Sequence, residues 1–279
     1  MQNNIAHAFL ILTHKPIDHI YQYADHYKDC NFYVHVDKKS QINRINIKSA
    51  NNVFFLPDTN RIDITWAGFS MVEATINLIN FALNHDEKNN FFHLISGDDV
   101  ILKSFDEFSF DEDRIYMECY ESPRHRYRVR FDTPHADTKH QRKPYGKALT
   151  IFYKLLDKLI PSNEKCLFGS QWFSIGRKDL EVMMASVDED YLNFFRHKLC
   201  PDEHFFQYLV KNNNLMEKLS KDNNKRFIVF DDNYQHGSSP IFLDLDTLKE
   251  KNKSTYWFSR KVQPDVISEF IKFRGLSLK

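Results

Sequence analysis

The chain has 279 residues, enough for one large α/β domain or two small ones with a substantial core, and an aromatic content of 15% with 25 Phe makes that core bulky. Lys+Arg and Asp+Glu balance at 38 each, which removes any global electrostatic case for a nucleic-acid partner, so attraction to an anion has to be local. Cys30, Cys119, Cys166 and Cys200 form no CxxC pair and no apolar run reaches a spanning length, which argues against a zinc ribbon, a disulfide scaffold and a membrane span.

In chain order, Ala8 to Leu12 is an apolar run of strand length closed by Thr13-His14-Lys15-Pro16. Asn31 to Val36, ending at Asp37, and Val53 to Leu56 are two more. Between the first two, Ile17, Ile20, Tyr21, Ala24 and Tyr27 recur at helical spacing, so a βαβ rhythm and a parallel sheet follow. A long helix is expected from Gly68 to about Leu83, and Phe91 to Ile95 is a fourth buried strand. Polar turns follow the strands at Thr13, Asp37 and Ser96. In an open parallel sheet such carboxyl ends gather at one edge, where ligands bind.

Ser96-Gly97-Asp98-Asp99 sits at that edge. Its acids suit a divalent metal with a nucleotide diphosphate, sugar hydroxyls, or simply a turn. Neither GxGxxG nor GxxxxGK[ST] occurs, so dinucleotide oxidoreduction and P-loop phosphoryl transfer lose their main support.

Between Glu121 and Lys147 the composition turns basic. Arg124, Arg126, Arg128 and Arg130 alternate with His125, Tyr127 and Val129, which predicts a strand with one cationic face. Such a ribbon is either a charged edge strand or a site for an anionic acceptor or a lipid phosphate. His125, His135 and His140 match no common zinc spacing. A helix is expected near Ala148 to Leu159, and Gly169 to Arg177 reads as a strand carrying Trp172, followed by a helix from about Lys178. Polar Ser170, Gln171 and Ser174 give that strand one wet face.

Pro201-Asp202-Glu203 reads as the first turn of a helix whose apolar stripe is Phe205, Phe206, Leu209 and Val210. Glu203 is thereby fixed by its neighbours, and its head group can face a cleft or merely complement the helix start. Near the C-terminus, Thr255 to Phe258 leads into Ser259-Arg260-Lys261, two cations that are plain surface charge or a clamp for a diphosphate.

These blocks, taken in order, resemble glycosyltransferase family 14, the core 2/I-branching β-1,6-N-acetylglucosaminyltransferase and peptide O-xylosyltransferase family, in a short bacterial-type form. The matching segments are Leu10 to Lys15, Phe32 to Asp37, Trp66 to Ser70, Leu94 to Asp99 with Leu102 to Ser104, Gly169 to Phe173, Pro201 to Glu203 and Phe258 to Lys261. The resemblance implies an α/β GT-A type, Rossmann-like fold with a mainly parallel central sheet and helices on both faces. It implies one glycosyltransferase domain over 1–279, with a nucleotide-binding half at 1–110 and an acceptor-binding and catalytic half at 111–279. Glu203 matches the catalytic base, and Lys261 matches a lysine beside the donor diphosphate that supplies the positive charge a metal gives elsewhere. Arg260 is its neighbour of similar promise. Asp37 matches the acid near the nucleoside, and Thr13 and His14 match the loop beside it. Trp66 and Asp99 join the donor side, Asp99 toward sugar hydroxyls, while Arg126, Arg128 and Trp172 are assigned to the acceptor. Two departures stand out: Ile101 where the family usually has Pro, and Ser238-Ser239-Pro240 without the arginine some animal members carry there.

The implied function is inverting, metal-independent transfer of a sugar, GlcNAc or xylose, from a UDP-sugar to a glycan or lipid-linked glycan. No cofactor is expected, and the setting is bacterial surface polysaccharide or lipooligosaccharide assembly, in the cytoplasm or at the inner membrane face. The alternatives are a metal-dependent GT-A transferase using Asp98 and Asp99, and a non-catalytic sugar-nucleotide or glycan-binding module.

Overall fold

The computed structural model describes residues 6–40, 50–108, 110–231 and 239–276. The first half is built from β1 (Ala6–Thr13), α1 (Asp18–His26), β2 (Asn31–Val36), β3 (Val53–Phe55), α2 (Phe69–His85), β4 (Asn89–Ser96) and β5 (Val100–Ile101). It continues through β6 (Tyr116–Met117), β7 (Tyr120–Glu121), α3 (Tyr127–Arg130), α4 (Pro144–Leu159) and β8 (Leu167–Phe168). The remainder comprises β9 (Phe173–Gly176), α5 (Arg177–Ala185), α6 (Glu189–Arg196), α7 (Phe205–Asn212), β10 (Arg226–Ile228), α8 (Leu245–Lys251), β11 (Phe258–Arg260) and α9 (Pro264–Phe273).

The central sheet has six strands in the order β3-β2-β1-β4-β9-β6. Strands β1 to β4 pair in parallel, while β9 runs antiparallel to both β4 and β6. Alternation along β1 explains the continuous apolar runs, because both faces are covered. Ala8, Leu10 and Leu12 enter a core with α2, α5 and α7, whereas Phe9 and Ile11 enter a second core with α1 and α9. This is the mainly parallel α/β sheet with helices on both faces expected of a GT-A type fold. The two halves of the chain share the sheet, since β6 and β9 complete it beyond β4, and β11 pairs with β5 in a smaller sheet. Among the described residues no helix is long and apolar enough to cross a membrane, and the four cysteines are free.

Two local expectations are corrected. The arginine ribbon is not a strand: Pro123–His125 is a 3-10 turn and Tyr127–Arg130 a short helix. Arg126 and Arg130 both reach Asp157 on α4, so the chain coils to bring alternate arginines onto one acid. Nor do Asp202 and Glu203 lie in the first turn of one continuous helix. Pro201–Glu203 is a 3-10 turn entered through left-handed Cys200 (φ 49°), and α7 starts beyond His204. The apolar stripe expected on α7 is buried as anticipated.

Candidate active site

The site is assembled at the carboxyl ends of β1, β2 and β4. Thr13 closes β1: its hydroxyl donates to the Lys15 carbonyl at 2.9 Å, and its carbonyl accepts the amide of Asp37 at 2.8 Å. Two strand ends are thereby joined. Asp37 is buried, and its Oδ1 accepts from the amides of Lys39 (3.2 Å) and Ile64 (3.3 Å). His14 is exposed beside them and its carbonyl accepts from the Ser40 hydroxyl at 2.9 Å. Trp66 lies exposed under the Arg142 guanidinium, 4.2 Å from the ring centre. The start of α2 behind Trp66 is held by Asp137, whose carboxylate accepts from the Ser70 amide at 2.9 Å and the Ser70 hydroxyl at 2.7 Å.

After β4 come the two acids, both buried and both engaged by cations. Asp98 lies 2.9 Å from Lys15 Nζ and 3.4 Å from Lys261 Nζ. Burial alone would raise its pKa, but Lys15, Lys261 and Arg260 hold it below the usual carboxylate value. Asp99 accepts from Arg260 at 2.8 Å and from the Ser96 amide at 2.9 Å, yet burial dominates and pushes its pKa up. Three cations therefore converge on two carboxylates, and Lys15 and Lys261 also share the face of Phe242, at 5.8 and 5.3 Å. Among the described residues no group of three or more His, Cys, Asp or Glu side chains is arranged to hold a metal ion.

Arg260 connects this cluster to the segment that leads into β9. Its guanidinium stacks 4.3 Å above the ring of buried Trp172. Three residues earlier, the amide of Gly169 donates to the Glu203 carbonyl at 3.0 Å. The segment Gly169 to Trp172 thus touches the cation cluster at one end and Glu203 at the other. A side chain on Gly169 would place its Cβ 1.8 Å from the Glu118 carbonyl oxygen, so only glycine permits this approach.

Glu203 is about one-third exposed, and its Oε2 accepts from Arg128, whose guanidinium also lies over Phe168. Two more of the four arginines take structural partners: Arg126 donates to Asp157 at 3.0 Å and to the Ser162 carbonyl at 2.8 Å, and Arg130 donates to Asp157 at 3.1 Å. His204, next to Glu203, is buried with Nδ1 2.6 Å from the Leu167 carbonyl, and burial lowers its pKa to about 3. It is neutral and serves as an anchor.

The structure thus brings together Thr13 with Asp37, and Asp99, Arg260, Lys261 and Trp172 with each other, and it links them through Gly169 to Glu203 and Arg128. Arg126 is turned toward α4. The Ser238 position lies outside the described residues. Sequence reasoning missed Lys15 and Phe242 as members of the cation cluster, and Asp137 as the cap of α2. Lys15 had a legible signal, a cation directly after a strand end; the others are set by contacts remote in sequence. Comparison with individually curated proteins gives no match. The profile of the Core-2/I-branching enzymes, by contrast, matches residues 7–251 and so takes in Thr13, Asp99 and Glu203. With most of its length matched and its sheet edge built as described, the chain belongs to the Core-2/I-branching enzyme family and is a glycosyltransferase.

Proposed function

We propose that the protein moves a sugar from a UDP-sugar to a glycan hydroxyl with inversion at the anomeric carbon, using Glu203 as general base and no metal ion. GlcNAc or xylose is the sugar this family membership suggests, and bacterial surface polysaccharide or lipooligosaccharide assembly is the setting. The observation that supports this reading is the Gly169–Trp172 bridge, which puts a carboxylate and a cluster of cations on opposite ends of one short segment.

Transfer by a single displacement needs one base and one electrostatic sink. The acceptor hydroxyl gives its proton to Glu203 as its oxygen bonds to the anomeric carbon. The bond from that carbon to the diphosphate oxygen breaks, and its electron pair leaves with UDP. Lys15, Arg260 and Lys261 then meet the charge that develops on the diphosphate. Arg128 takes Oε2 of Glu203 and leaves Oε1 for the acceptor proton. Residues 1–110 hold the nucleoside through Thr13, His14, Asp37 and Trp66, and Asp99 faces the sugar. Residues 111–279 bring the base, and Arg128 and Trp172 border the acceptor.

The test is Glu203→Gln, which keeps the shape of the side chain and removes its basicity. It is expected to fold, to bind the UDP-sugar like the wild type, and to transfer sugar about 10²- to 10⁴-fold more slowly at saturating donor. A wild-type transfer rate would remove Glu203 from the reaction.

A further inference from the structure

Helix α4 is built the wrong way round for a surface helix, whose apolar stripe ordinarily faces the protein. Its inner face carries little apolar surface: Gly146, Thr150, Tyr153 and Asp157 recur every three or four residues. A Cβ on Gly146 would lie 2.2 Å from the His140 carbonyl oxygen, so the helix lies backbone to backbone on the preceding loop. The Thr150 hydroxyl lies 3.0 Å from His135 Nε2, and Asp157 is held by Arg126 and Arg130. The helix is thus fastened by these polar contacts and by Tyr153, which packs against Tyr127, Ala136 and Leu199; Leu149 and Leu156 are half-buried, and the larger part of its apolar side chains is left outside.

Those side chains form a stripe. Tyr145, Phe152 and Leu159 recur every seven residues, and Ile151 and Leu155 lie one turn apart beside them. Phe152 and Leu155 are each 54% exposed and Leu159 is 78% exposed. At about 100° per residue, this stripe is centred opposite the Gly146–Asp157 face. Along one flank run exposed Lys147, Lys154 and Lys158. From residue 138 to residue 163 the sequence has a single acid, Asp157, and it is buried in its own ion pairs.

We propose that α4 docks the protein on an anionic lipid surface, with Phe152, Leu155 and Leu159 entering the interface and Lys147, Lys154 and Lys158 meeting the headgroups. An apolar stripe beside a row of lysines is the chemistry that such surfaces bind. A second copy of the chain fits the same face poorly. Antiparallel pairing of two α4 helices about Phe152 sets Lys147 of one copy beside Lys158 of the other, with no exposed acid on the helix to offset them. The inference stands apart from the sugar-transfer reading, because neither donor nor Glu203 takes part.

Cosedimentation with phosphatidylglycerol–phosphatidylcholine vesicles tests it. The wild type is expected to bind these vesicles, to bind pure phosphatidylcholine weakly, and to detach as salt is raised. Replacing Lys147 and Lys158 with Gln is expected to weaken binding about 30-fold, the product of two lysines near a charged surface. Phe152→Glu with Leu155→Glu is expected to abolish binding; both positions are exposed, so an unchanged melting temperature is the control. If the wild type ignores anionic vesicles, or if both double variants bind as it does, the proposal is overturned. It is equally overturned if the wild type forms a dimer that the glutamate variant loses while neither binds vesicles. Glu203→Gln is expected to bind vesicles like the wild type, whatever its transfer rate.

Discussion

Asp202 and Glu203 are adjacent carboxylates with different surroundings. Glu203 has Arg128 as a partner, while Asp202 Oδ1 is enclosed without a hydrogen-bond partner. Burial, followed by the charge of Glu203, raises the Asp202 pKa to about 7. The unfolded value is about 3.9, so the folded state holds this proton more tightly. Stability therefore falls as the pH rises from about 4 toward 7 and levels off above it. Asp202→Asn, which carries no charge to bury, is expected to be about 1–2 kcal/mol more stable than the wild type above neutral pH and equal to it near pH 4. The gain is modest because Asp202 as a residue is only half-buried, so solvent screens part of its charge. Urea unfolding at both pH values measures it, and a difference that does not change with pH would mean that the carboxylate is solvated in the folded state. Asp202→Asn also leaves Glu203 and Arg128 in place, so its transfer rate is expected to stay near that of the wild type.

At the scale of elements, Glu203 is positioned by backbone contacts as much as by its own turn. Gly169→Ala forces a Cβ against the Glu118 carbonyl, and overpacking of this kind costs about 1–3 kcal/mol. The expected result is a lower melting temperature together with slower transfer, because the segment that moves also carries the hydrogen bond to the Glu203 carbonyl. UDP affinity, which the proposed mechanism assigns to Lys15 and Lys261, is expected to change much less; equal losses in both would mean that the variant is globally disordered. The same contacts explain where the sequence could be read and where it could not. Strands β1, β2 and β4 are buried on both faces, so their apolar runs were plain, and α1 and α7 showed their stripes at helical spacing. The Pro201 turn was read as a helix because its residues suit one. In the fold, the Glu203 carbonyl accepts from the Gly169 amide and the His204 ring donates to the Leu167 carbonyl, and both bonds pull the turn out of helical register. The arginine alternation looked like a strand for a similar reason, since Asp157, which gathers Arg126 and Arg130, lies 27 to 31 positions away.

The molecule as a whole has no net charge, yet its sheet edge concentrates cations around the place where strand ends converge. Lys15, Arg260 and Lys261 are supplied by chain segments more than 240 positions apart, so the arrangement exists only in the folded protein. Asp98 and Asp99 are the acids that would otherwise serve a divalent ion, and their carboxylates are already shared among these three cations. A cation entering there would have to displace an ammonium or a guanidinium from a buried acid, whereas an incoming diphosphate can exchange with the acid as the partner of Lys261. Sugar transfer by the purified protein is therefore expected to persist in excess EDTA and to gain little from Mg²⁺ or Mn²⁺. Lys261→Ala is expected to weaken UDP binding about 10- to 100-fold in calorimetry, the worth of one charge-assisted hydrogen bond. Removing Lys261 also leaves Asp98 paired with Lys15, so the variant is expected to fold with a melting temperature close to that of the wild type. Two results would overturn this account: a strict requirement for a divalent ion, which would make Asp98 and Asp99 its ligands, or unchanged UDP affinity in Lys261→Ala with the fold intact.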